Sequence, residues 1–436
     1  MKTLLSIFAL AAMACAAQAG DKTVTIAARL NTPVISVRGG QIFVHLTVGT
    51  PRFEERRREP LNLSVVLDRS GSMGDERKIE YARKALQKLI DELNENDIFS
   101  LVVYDDYIDV LRNPSRVGNK RGLKALIDGI EPRGSTNLGG GMIQGLELAS
   151  QFVQKGYVNR VVLLSDGLAN QGITSPHELN RIARQYRHRG ISMTTMGVGL
   201  DYNENLMVGL AENGGGNYYF IESPRQLASI MAKELDYVSS VVCRDAVIEL
   251  RLGSGVRLKD VVGYEWKQEG EKTVVSLGDL YSDENRELTV ELEAPKGSGS
   301  IALAEGTIAF QSDKVSAPTK GFAAEARYTE DEKVVEEHRD LTVQAKADVA
   351  VSTRRVEKAL QALDEGREED AAAELQEAEA FLNASPAASA QGAGGDALRA
   401  QMGRLSSFQD SVKSGDLKKA KKDIQYKNYQ TQKNKQ

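Results

Sequence analysis

The order of strands and helices predicts an α/β protein. A doubly wound, mostly parallel sheet is inserted in or followed by a β-sandwich, with an α-helical C-terminal region. Three observations predict it. Between residues 60 and 239, short unbroken apolar runs alternate with segments whose apolar residues recur at helical spacing. From 241 to 312 the period becomes two, with glycine-rich turns, as in antiparallel strands. From Asp331 onward the period is helical again. The expected division is a leader over 1–19, N-terminal strands and linker over 20–59 that join the sandwich, the α/β unit over 60–239, the sandwich over 240–328, and helical hairpins with a basic tail over 329–436.

The leader reads as a secretory signal peptide. Lys2 supplies the charged start, residues 4–14 the apolar stretch, and Ala17-Gln18-Ala19 an A-x-A cleavage site. The mature chain is then secreted or periplasmic and begins at Gly20. The apolar stretch is far short of the roughly 20 residues that span a bilayer, and no run in the mature chain is long enough. A lipoprotein anchored at Cys15 is the lesser alternative, because Ala12-Met13-Ala14 lacks the usual leucine. After cleavage only Cys243 remains, which excludes an internal disulfide and a thiolate zinc site and points to a small core residue. The net charge of -5 is well mixed over 436 residues, so nothing favours nucleic acid.

Residues 24–28 and 41–48 read as strands around a Gly39-Gly40 turn. Residues 51–60, proline at both ends with four Arg and three Glu, read as a solvated linker. Residues 61–67 form a buried strand. Ile79, Ala82, Leu86, Leu89, Ile90 and Leu93 mark a helix, with Asp75 placed to cap it. A strand at 98–104 and an antiparallel edge strand at 107–111 follow, then helices around 123–130 and 142–152. The unit closes with strands at 161–164, 191–198 and 217–221 and helices at 179–186 and 225–238. Residues 213–217 (NGGGN) are a tight turn. Sandwich strands are expected at 247–252, 273–277, 288–292 and 301–310, with Trp266 buried among them. Two helices broken at Gly366 are followed by a mobile small-residue linker over 383–395 and two more helices broken at Gly415. Residues 413–436 hold eight Lys against two Asp; they read as a frayed end, with a peripheral envelope contact as the alternative.

The chemistry gathers at strand ends. Asp68-Arg69-Ser70-Gly71-Ser72 follows the first buried strand, so its oxygen-bearing side chains emerge at the carboxyl end of the sheet. Thr136 precedes a helix, and Asp166 ends the strand at 161–164, expected beside the first at the switch point. Asp68, Ser70, Ser72, Thr136 and Asp166 are then hard oxygen donors for Mg²⁺ or Ca²⁺, with two carboxylates balancing a divalent charge. With six positions on Mg²⁺, at least one is left to water or a partner.

Asp68-Arg69-Ser70-Gly71-Ser72-Met73, Gly134-Ser135-Thr136-Asn137-Leu138 and Leu163-Leu164-Ser165-Asp166-Gly167 resemble the three loops of a von Willebrand factor type A domain, over residues 60–239. All five donor positions match that pattern. The resemblance implies a metal-ion-dependent adhesion site holding Mg²⁺ (or Mn²⁺ or Ca²⁺), completed by a carboxylate of a protein partner. Asp166 is either a direct or a water-mediated ligand. The implied role is adhesion or protein–protein interaction, not catalysis, with specificity in loops such as 74–77, 139–142 and 169–174. The alternative is an accessory subunit of an envelope complex that docks through its helical end, with the metal structural. Residues 251–256 and 274–293 are more loosely similar to bacterial secreted proteins of this type, which are distantly similar to inter-alpha-trypsin inhibitor heavy chains and calcium-activated chloride channel regulators. The helical end is weakly similar to tetratricopeptide-like hairpins.

Enzymatic readings fail on the residues. His177-Glu178 begins a zinc-protease motif, but Arg181 stands where the second His belongs. Ser70 replaces the second carboxylate that an aspartate-nucleophile phosphatase needs, and no His-Asp pair serves a serine nucleophile. The acidic run 364–379 reads as a solvated helix face.

Overall fold

A computed structural model describes residues 22–53, 59–154, 156–318 and 321–433. The leader with Cys15, and linker residues 54–58, lie outside the described residues. The chain opens with β1 (Thr25–Leu30), β2 (Val34–Ser36) and β3 (Gly40–Gly49). The α/β unit comprises β4 (Leu61–Asp68), α1 (Lys78–Glu92), β5 (Ile98–Tyr104), β6 (Ile108–Arg116), α2 (Lys120–Asp128), α3 (Leu138–Ser150) and β7 (Val158–Ser165). It continues with α4 (Pro176–Arg187), β8 (Ile191–Val198), α5 (Glu204–Gly214), β9 (Gly215–Ile221) and α6 (Leu227–Ser239). The strands β10 (Val241–Leu252), β11 (Arg257–Val261), β12 (Trp266–Glu269), β13 (Lys272–Tyr281), β14 (Asn285–Ala294), β15 (Ser300–Gln311) and β16 (Phe322–Thr329) follow. Helices α7 (Glu332–Glu337), α8 (Leu341–Asp364), α9 (Glu368–Asn383), α10 (Ala393–Lys413) and α11 (Leu417–Gln432) end the chain.

The central sheet runs β6-β5-β4-β7-β8-β9 and is parallel except at β6. β4 is buried throughout because both its faces are covered. Leu63, Val65 and Leu67 pack into one core with α1 and α6, and Val66 into the other with α3, α4 and α5. The antiparallel β6 lies at the sheet edge, where Pro114 removes no needed ladder bond. The helix α5 was not expected. It is capped by Asn203, whose side chain accepts the Leu206 N–H, and it ends at Gly215 with φ +69°. Asp75 does not cap α1. That helix starts at Lys78 behind a 3-10 segment, Gly71–Arg77, in which Glu76 and Arg77 take positive φ and no side chain caps the end.

Two sheets, β1-β3-β14-β11 and β12-β13-β10-β15-β16-β2, enclose the second core. The α/β unit is thus inserted between β3 and β10 of a β-sandwich. Trp266 is not buried. It lies on the edge strand β12, 39% exposed, because the short strand pairs only with β13. Cys243 is in the sandwich core, where burial pushes its thiol up to about 12. The fully buried Arg160 on β7 meets Asp279 on β13 at 3.3 Å and joins the two units.

The helical region differs from expectation at two places. Residues 383–395 are not a mobile linker: Ala387 is buried in the helical core, and α10 begins within them. As far as Lys433 the basic tail is not frayed, because α11 docks on the α/β unit. Lys418 reaches Asp201 at 3.1 Å, Lys419 reaches Glu222 at 2.5 Å, and Lys421 and Lys422 reach the buried Glu204 at 2.5 and 2.7 Å. Tyr429 is buried against Tyr218, with its hydroxyl 3.3 Å from the Tyr218 N–H. Tyr429→Ala is therefore expected to cost about 3 kcal/mol of unfolding free energy in urea. A loss below about 1 kcal/mol would mean that the docking contributes little.

Candidate metal centre

β4 and β7 are parallel neighbours, with Leu67 opposite Leu164, so the segments that follow them leave the sheet side by side. Asp68 ends β4 and is fully buried. Its Oδ1 accepts the Ser70 N–H at 2.8 Å, and its Oδ2 accepts the Ser165 hydroxyl at 2.8 Å. The Tyr104 hydroxyl lies 3.2 Å from the same Oδ2. Ser70 and Ser72 sit at the start of the 3-10 segment with their hydroxyl oxygens 3.2 Å apart. Ser72 donates to Asp166 Oδ1 at 2.8 Å.

Thr136 enters from the loop before α3. Its N–H donates to Asn170 Oδ1 at 3.0 Å, and its carbonyl accepts the Asn170 N–H at 3.1 Å. A Cβ on Gly167 would lie 3.1 Å from Thr136 Oγ1 and 3.7 Å from Ser72 Oγ, so the missing side chain lets these hydroxyls approach. The first two loops are laced together: the Gly71 N–H donates to Gly134 O at 3.1 Å, and the Arg133 N–H to Arg69 O at 2.7 Å. Gly134 has φ +72°, and a Cβ there would strike Asp106 Oδ2 at 2.5 Å. Arg69 and Arg133 both donate from Nε to the buried Asp105 at 2.7 Å. Asp68, Ser70, Ser72 and Asp166 are therefore linked through hydrogen bonds, and Thr136 joins them across Gly167. Residues 139–142 are the first turn of α3, not a loop, with Gly139, Gly141 and Met142 buried.

Lys78, Tyr104, Ser165 and Asn170 were not singled out as site residues from sequence. Lys78 is the consequential one. Its ammonium is buried and donates to Asp166 Oδ2 at 2.8 Å. The signal available was its place on the buried stripe of α1, with Ile79, Ala82 and Leu86. A lysine there must find a carboxylate.

The electrostatics favour a cation. Burial, and then the nearby Asp166, push the Asp68 carboxyl up to about 6, against hydrogen bonds from Ser70 and Ser165. Burial also raises Asp166, more than Lys78 and Ser72 lower it. Two buried carboxylates beside hydroxyl oxygens are a hard donor set suited to Mg²⁺, Mn²⁺ or Ca²⁺. Among the described residues, no group of three or more His, Cys, Asp or Glu side chains is placed to hold a metal, so this set depends on its hydroxyls.

Comparison with known proteins places these loops. Residues 62–233 match the family model of the von Willebrand factor type A domain. An uncharacterized Escherichia coli protein, YfbK, is 30% identical over 49% of this chain and 38% of its own length. A human inter-alpha-trypsin inhibitor heavy chain is 30% identical over 36% of this chain and 18% of its own. The matched stretch thus spans less than half of either curated relative. A solved von Willebrand factor type A structure from Catenulispora acidiphila aligns over 95% of this chain and 98% of its own, with a TM-score of 0.71 at 17% identity. That likeness extends the shared fold to the sandwich and the helices.

Proposed function

The chain is a von Willebrand factor type A domain protein, and from that premise we propose that it binds a protein partner through a divalent cation. Asp68, Ser70, Ser72, Thr136 and Asp166 would hold the ion, Mg²⁺ or alternatively Mn²⁺ or Ca²⁺. When bound, the ion supplies an electrophilic position for a carboxylate of the partner. The observation that carries this reading is the convergence of two buried carboxylates and the Ser70 and Ser72 hydroxyls at the carboxyl ends of adjacent strands.

This chain's residues do the rest. Ser165 and Tyr104 fix Asp68, Asn170 fixes Thr136, and Lys78 occupies one oxygen of Asp166 so that the other faces Ser72. The assigned role is binding, without covalent chemistry. Secretion or a periplasmic location belongs to the same proposal, as do the bounds 60–239 for the binding unit. No described helix is long and apolar enough to cross a membrane.

A second reading has one observation in its favour. Lys78 already places a positive charge on Asp166, so the loops are partly compensated without an ion. The chain would then act as a scaffold or accessory subunit through its helical region. Capture of partners from envelope extracts on immobilised full-length protein, in Mg²⁺ and in EDTA, separates the two. The first reading expects partners that elute with EDTA and are absent on Asp68→Ala. Partners held equally in both buffers and by the variant would establish the second.

A further inference from the structure

We infer that the cavity between the β-sandwich and the C-terminal helices binds a small oxyanion, a carboxylate or a phosphate, independently of the metal centre. The cavity measures about 540 Å³, within the range of small-molecule sites, and shares no residue with the five donors above. His45 on β3 and Glu287 on β14 form one wall; Lys346 on α8, Arg404 on α10 and Lys427 on α11 form the others. Ala350, Ala397 and Ala400 keep the helical walls short, so the space between them stays open.

The charge of these walls does not balance internally. Among the described lining residues Glu287 is the one carboxylate, and it is already engaged: Lys346 donates to it at 2.6 Å, and His45 Nε2 lies 3.5 Å from it. Burial pushes the Glu287 carboxyl up, but His45 and Lys346 more than offset this and hold it at about 2, so it stays ionised. Arg404 is half-buried. It donates from Nη1 to Thr431 Oγ1 at 2.9 Å and to Gln401 Oε1 at 3.4 Å, and it meets no carboxylate among the described residues. Its planar fork therefore keeps unused donors, in the geometry that matches carboxylate and phosphate oxygens. Lys427, exposed at the rim with its ammonium 5.9 Å from the Phe408 ring, interacts at longer range with Asp423 one turn earlier on α11, forms no ion pair within hydrogen-bond reach among the described residues, and adds a second, partly compensated positive charge. His45 is buried, and its Nδ1 has no hydrogen-bond partner among the described residues, so the wall is polar and incompletely satisfied. An oxyanion seated on Arg404 and Lys427 balances that charge and bridges α10 and α11 to the sandwich face.

The test is calorimetric titration of inorganic phosphate, and separately of succinate, into the full-length chain at low ionic strength. The expected result is one-to-one binding of at least one anion. It should be weakened about tenfold or more by Arg404→Gln and to a lesser degree by Lys427→Gln. Asp68→Ala should bind the anion as the unaltered chain does. The anion that binds more tightly identifies the class. Should Arg404→Gln not fold, Arg404→Lys keeps the charge but loses the fork, and its expected affinity is intermediate. Absence of binding by both anions below about 5 mM, or equal affinity in the Arg404 variants and the unaltered chain, overturns the inference.

Discussion

Asp68→Ala is expected to weaken Mg²⁺ or Mn²⁺ binding by about 100-fold or more, measured by calorimetry on the full-length chain. The size follows from position. Asp68 is fully buried, ends β4 within the sheet and is one of the two carboxylates of the donor set, so its loss removes half of the negative charge that faces the ion. Ser165→Ala, which removes only a hydrogen bond to Asp68, is expected to cost about tenfold. The same carboxyl sets a pH dependence. It holds its proton up to about 6, and only the ionised form is a good ligand. Affinity should therefore be flat above that pH and fall by about tenfold per pH unit below it. A variant that binds within threefold of the unaltered chain, or an affinity that is level from pH 5 to 7.5, would contradict the assignment of Asp68.

The second large effect belongs to Lys78. Its ammonium and the Asp166 carboxylate are both buried and 2.8 Å apart. Lys78→Met keeps most of the stem volume and removes the charge. With EDTA present, it should destabilise the fold by about 3 kcal/mol or more, because Asp166 is left as an uncompensated buried carboxylate. In saturating Mg²⁺ the gap should narrow, since the ion supplies the missing positive charge to the same residue. Urea unfolding in the two buffers reads this directly. A loss that is the same in EDTA and in Mg²⁺ would show that Lys78 acts through packing alone and is not coupled to the ion.

Part of this was legible in the sequence for physical reasons. Residues 65–67 and 161–164 are apolar runs because both faces of the central strands are covered, and such runs stand out against polar loops; the buried Asn62 and Ser64 interrupt the first run at its start. The loop residues Asp68, Ser70, Ser72, Thr136 and Asp166 stood out because each lies at the end of such a run or ahead of a helix. The helix α5 stayed hidden. It is apolar on most sides, with Leu206, Met207, Val208, Leu210 and Ala211 all buried, so it shows no amphipathic stripe. β11 and β12 carry the charged runs Arg257–Val261 and Trp266–Glu269, which become strands only through pairing with β14 and β13. The lysines of α11 looked solvated because their partners Asp201, Glu204 and Glu222 lie some two hundred residues earlier in the chain. Lys78 was missed for a related reason: the carboxylate that explains its burial stands in another loop, 88 residues away.

The most direct test of the central claim is anomalous diffraction from crystals of the full-length chain soaked in Mn²⁺. A single strong peak among the oxygens of Asp68, Ser70, Ser72, Thr136 and Asp166, absent from Asp68→Ala crystals, is the predicted result. Crystals with no peak at those oxygens, and with the Lys78 ammonium as the one cation on Asp166, would contradict the metal centre and leave the scaffold reading.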